Sequence, residues 1–103
     1  MPEFEWDEEK NRANRTKDGI SFEEAKAIFD GPVFTAPDDR EDYGEERLIS
    51  YGQLGMLVVV AVVHTSRSGR IRLISARKAN RKERQAYYEH LEETAQGNGG
   101  DQG

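Results

Sequence analysis

Residues 71–89, IRLISARKANRKERQAYYE, decide the fold. The first half alternates branched apolar and polar side chains, as a strand does. The second half opens on Asn80, with Glu83 three residues later in the capping-box position of a helix, and Ala86 and Tyr87, with Leu91 just beyond, give that helix a narrow apolar stripe. Six cations gather where one half gives way to the other: Arg72, Arg77, Lys78, Arg81, Lys82 and Arg84. The chain as a whole has a formal charge of −5.

Working outward, RIRLISAR (70–77) follows a Ser66–Gly69 turn, and MLVVVAVVHT (56–65) is the continuous apolar run of a strand covered on both faces. ERLISYGQL (46–54) alternates and stops before Gly55. The short connections predict an antiparallel meander with 56–65 in the middle. Towards the N-terminus, EFEW (3–6) suits a short strand and Asp7 an N-cap, followed by a helix that ends at Asp18-Gly19. Ser21 and Glu24 open a second helix, with Phe22, Ala25, Ile28 and Phe29 on one face, which stops at Asp30-Gly31-Pro32. Residues 31–45, with two prolines, two glycines and five acids, read as a loop, and residues 94–103, rich in Gly and Gln, as a disordered tail. The expected order is βααβββα. That is an α+β domain over residues 1–93 with an antiparallel sheet: three main strands, a short N-terminal strand, two N-terminal helices and one C-terminal helix.

Charge is unevenly placed. Residues 1–46 hold 15 acids and 6 bases, residues 47–84 hold 9 bases and one acid, and residues 85–103 hold four acids and no base. Such a split predicts a basic surface that meets an anionic partner. No cysteine is present, and no apolar run is long enough to span a bilayer, so the reading is of a cytoplasmic domain without disulfides or thiolate metal sites. Two histidines, His64 and His90, lack metal-ligand spacing, so no metal or cofactor is expected.

Arginines at a strand end suit phosphates, which accept bidentate guanidinium bonds. Arg77 stands where strand turns to helix. Arg47 and Arg72 suit either an anion site or a structural salt bridge to the acidic first half. Lys78 and Arg81 extend the basic surface, although Arg81, Lys82 and Arg84 equally suit a solvated helix face. His64, at the end of the central strand, suits proton transfer or plain packing.

The strings FEWDEEKNRANRTKDGISFEEAKAIFD (4–30) and RIRLISARKANRKERQAYYE (70–89) resemble the BrnT family of bacterial type II toxins over roughly residues 3–90. The resemblance implies a RelE-like fold and a metal-independent endoribonuclease, in which the RNA 2′-hydroxyl attacks its own phosphate. It also implies a BrnA-like, DNA-binding antitoxin partner in a hetero-oligomer. On this reading Arg72 and Arg77 stabilise the phosphate, His64 or Lys17 moves a proton, and Arg47, Lys78 and Arg81 hold RNA. The family pattern is K-H-G where this chain has Lys17-Asp18-Gly19. A catalytically weak protein that only binds its antitoxin is the alternative.

Overall fold

The computed structural model describes residues 3–40, 44–56 and 58–100, the last five of these by backbone alone. Its elements are β1 (Phe4–Glu5), α1 (Glu8–Asp18), α2 (Phe22–Ala25) running on into a 3-10 turn (Lys26–Asp30), β2 (Val33–Pro37), β3 (Leu48–Leu54), β4 (Val58–Arg67), β5 (Arg70–Lys78) and α3 (Arg81–Gly100). The strands form one sheet in the order β1-β5-β4-β3-β2. No helix among the described residues is long and apolar enough to cross a membrane.

The expected meander is present, with β4 central and antiparallel to both neighbours. The β4–β5 hairpin closes on Ser68 and Gly69, both at positive φ, the backbone that a tight two-residue turn requires. Three expectations need correction. The sheet is mixed, because β1 pairs parallel to β5. The segment read as a loop at 31–45 contains β2, an edge strand paired antiparallel to β3. The second helix is a single α turn that tightens to 3-10 and does not continue as an α-helix.

All three N-caps read from sequence are made, that of α3 by the bonds Asn80 and Glu83 exchange. Asp7 accepts from the backbone of Glu9 and Lys10, and Ser21 and Glu24 exchange the two bonds of a capping box. One sheet face lies under α1, α2 and the 3-10 turn, where Phe22, Ile28, Val60, Val62, Leu73 and Ala76 are buried. The other carries Ile49, Ala61 and Val63, and there Tyr87 of α3 packs on Val59 and Ala79. Helix α3 takes in the start of the segment read as a tail from Thr94, and residues 101–103 lie outside the described residues.

Two local devices set the geometry between α1 and β5. The ladder between β4 and β5 shifts register at Val63/His64, which leaves Ile74 as an extra residue on β5. Ile71, Leu73 and Ala76 therefore pack with the helix-side core, whereas Ile74 joins the opposite face. Strict alternation would have sent Arg77 inward with Ile71 and Leu73; the bulge re-aims it beside Ala61 on the other face. The second device is Asn14. Beyond its short pairing with β1, the edge of β5 meets α1, and Asn14 donates to the Ala76 carbonyl (2.7 Å) and accepts from the Ala76 N–H (3.1 Å). One amide thus does for the edge what a further strand would do.

Candidate functional site

A hollow of about 420 Å³ opens where α1 meets β5, lined by Lys10, Ala13, Asn14, Lys17 and Asp18 from α1, by Val63, by residues 74–77 of β5, and by Arg40. The α1 residues follow helical spacing, so the pattern that seats Asn14 on the strand edge also turns Lys10 and Lys17 towards the hollow. Four cations and one carboxylate line it.

Arg77 is held in place. Its Nη1 donates to Glu83 Oε1 at 2.7 Å and its Nη2 to Glu83 Oε2 at 2.9 Å. Glu83 also accepts from the Asn80 backbone (2.9 Å) and from the Tyr51 hydroxyl (3.3 Å). The carboxylate that caps α3 is therefore the one that fixes the guanidinium. Its pKa falls to about 2, mainly through the bonds from Arg77, and that of Arg77 rises for the same reason. The Tyr51 hydroxyl is pushed up by burial and by the Glu83 charge. Arg40 is braced in the same manner: Nε and Nη2 donate to the two oxygens of Asp38 at 2.7 and 2.9 Å.

Of the residues singled out in sequence, Lys17 and Arg77 meet in the hollow. Lys78 and Arg81 are exposed next to it in sequence, at the end of β5 and the start of α3. Arg72 lies at the far end of β5, paired with Glu5 across the β1–β5 ladder at 2.9 Å, and its hydrogen bond holds the Glu5 carboxyl below the usual range. Arg47 pairs with Glu45 at 3.1 Å. His64 is buried on the helix-side face, its Nε2 2.7 Å from Ser50 Oγ, which in turn is 2.7 Å from Thr35 Oγ1. Phe29 meets the imidazole edge-on at 5.2 Å, and burial lowers its pKa.

Sequence reading missed Lys10, Arg40, Tyr51 and the bracing role of Glu83. The spacing of Lys10 and Lys17 about Asn14 was a usable signal. Arg40 had none, since it sits in a stretch that reads as an acidic loop. Among the described residues, no three His, Asp or Glu side chains group as a metal site.

Fold and hollow together define a small α+β protein that gathers cations in a cavity at a sheet edge. A family model described as "Ribonuclease toxin, BrnT, of type II toxin-antitoxin system" matches residues 6–83. The chain belongs to this BrnT family of ribonuclease toxins. The crystal structure of the Brucella abortus ribonuclease toxin BrnT aligns with a TM-score of 0.58 at 25% identity, over 79% of this chain and 100% of that one. Among curated proteins none matches.

Proposed function

We propose that this chain is the toxin of a type II pair and cuts RNA in the hollow between α1 and β5, in the cytoplasm and without a metal. The observation that carries the reading is that Lys17 and Asp18, at the end of α1, line one cavity with Arg77, some sixty residues further along the chain. The ribose 2′-oxygen forms a bond to the adjacent phosphorus, and the bond from phosphorus to the 5′-oxygen breaks, leaving a cyclic phosphate and a 5′-hydroxyl. Arg77 and Lys10 carry the charge that builds on the phosphate. Lys17 delivers a proton to the leaving oxygen. Asp18, at the rim, takes the proton of the 2′-hydroxyl in the place where the family pattern has histidine. Lys78 and Arg81 continue the phosphate-binding surface beyond the hollow. Arg72 and His64, set apart from it, support the sheet.

Induced expression in a bacterial host is expected to arrest growth and degrade RNA, with Arg77→Ala reducing cleavage by on the order of 10²–10³. Purified protein is expected to cut RNA in the presence of EDTA. Loss of cleavage in EDTA would overturn the metal-independent part of the proposal, and full activity in Arg77→Ala would remove that residue from the site.

One observation favours a second reading. Both arginines of the hollow already hold a carboxylate, a poise that also suits a protein whose basic surface receives only an acidic stretch of a BrnA-like antitoxin. Tight pairing with the antitoxin, together with intact RNA at excess of folded toxin, would select that reading.

A further inference from the structure

Arg40 carries a brace that a merely solvated arginine does not need. Asp38, which braces it, is 2% exposed at the side chain, while Arg40 itself is 63% exposed. The Asp38 N–H donates to the Arg47 carbonyl at 2.8 Å, one step beyond the Pro37–Leu48 pair, so the ladder of β2 and β3 extends just far enough to fix this carboxylate. The hydrogen bonds from Arg40 hold the Asp38 carboxyl below its usual range, so it stays charged. A buried carboxylate is costly unless paired. Here its partner is a surface guanidinium that lines the hollow. Asp38 takes the Nε–Nη2 edge of a planar fork that carries five donors, and the guanidinium so held still faces solvent at the hollow.

The placement of the two braced arginines matters. Arg77 comes from β5 and Arg40 from the end of β2, three places away in the sheet, roughly 14 Å at the usual strand spacing. Both line one cavity, and Arg40 acts electrostatically on Arg77. An RNA strand carries one charge at every nucleotide. We propose that Arg40 forms a second phosphate subsite, binding the phosphate next to the one cut at Arg77, with Asp38 as its positioning residue. The ligand class is single-stranded nucleic acid with at least two successive phosphates. This inference rests on the reading of the hollow as an RNA site.

The test uses uncleavable thymidine trinucleotides bound to the full chain and followed by NMR titration. One probe has both linkages charged; two others carry a neutral methylphosphonate at either the 5′ or the 3′ linkage. For wild type, neutralising either linkage is expected to weaken binding by about tenfold. In Arg40→Gln one of those two ratios is expected to fall to near one while the other persists. Asp38→Asn is expected to shift the same ratio, and Arg40→Lys to restore it only in part. Comparing ratios within each variant cancels any general loss of affinity. Equal ratios in wild type and Arg40→Gln, with RNA cleavage intact, would overturn the subsite alone. No binding of any probe and no cleavage by wild type would overturn the RNA reading together with it.

Discussion

Glu83 does two jobs with one carboxylate, capping α3 and bracing Arg77, and the two separate under mutation. Glu83→Gln keeps much of the cap but removes the charge that orients the guanidinium, so RNA cleavage is expected to fall more than stability does. The pKa of Glu83 drops from 4.5 to about 2 on folding, so its stabilising contribution is complete above about pH 4.5 and is lost as pH falls towards 2. Urea midpoints of wild type and Glu83→Gln are therefore expected to differ at pH 6 and to converge near pH 2. His64 shows the opposite chemistry with the same sign of slope. Burial disfavours its charged form, so its contribution is present above about pH 6.5 and shrinks as pH falls through that value. His64→Asn is expected to lose that part of the pH dependence and to cost about 1–3 kcal/mol, since Ser50 beneath it is fully buried and loses a partner. Cleavage per folded molecule is expected to hold. A collapse of cleavage without loss of stability would return His64 to the chemistry.

At the scale of elements, α1 is joined to β5 through Asn14, which makes three bonds to the Ile20 and Ala76 backbones while 8% exposed. Asn14→Ala strands these groups and is expected to destabilise by about 2–4 kcal/mol, and to raise KM as well, because Lys10 and Lys17 ride on the same helix. Thermal melts and steady-state cleavage of a short RNA check both parts. Gly52 tests the other helix-to-sheet contact: a Cβ there would meet Ile28 Cβ at 2.6 Å, so Gly52→Ala forces the 3-10 turn off the sheet. These contacts also explain how much was legible beforehand. Capping boxes and the meander are local patterns, and residues such as Ser21, Glu24 and Asn80 announce them. Strand β2 is hidden because Pro32 precedes it, Pro37 is its last residue and acids come next; an edge strand tolerates the proline that a central one would not. The two residues of β1 are too few to show a period, so their parallel pairing is invisible. The bulge at Ile74 was visible only as a break in alternation at Ile74 and Ala76, and the face on which Arg77 lies turns on that break. Arg77 was therefore legible as a cation at a strand–helix junction, Lys17 only through the family resemblance, and Arg40 not at all.

For the whole molecule, the question is how a chain of net charge −5 attracts RNA. Several acids of the first 46 residues are engaged: Glu5 with Arg72, Glu3 with Arg70, Asp38 with Arg40, Asp7 and Glu24 in caps. The cations that line the hollow act at short range, inside a concave site where solvent screens them less than on an open surface. On the proposed reading long-range attraction is weak, and affinity is expected to be set by the few phosphates seated in the hollow. Counterion release counts those phosphates. For single strands the slope of log affinity against log salt is about −0.7 per phosphate contacted, so two seated phosphates predict roughly −1.4. Arg40→Gln is expected to bring the slope to about −0.7, and Arg77→Gln likewise, when binding of an uncleavable deoxyoligonucleotide is followed from low to physiological salt. A longer strand that also reaches Lys78 and Arg81 is expected to steepen the slope by their contacts, and a slope several times steeper would mean that Lys82 and Arg84 of α3 carry charge alongside them. An antitoxin that covers the hollow with acidic side chains would release the same counterions. Its affinity is then expected to share this salt dependence and to lose it in the same two variants.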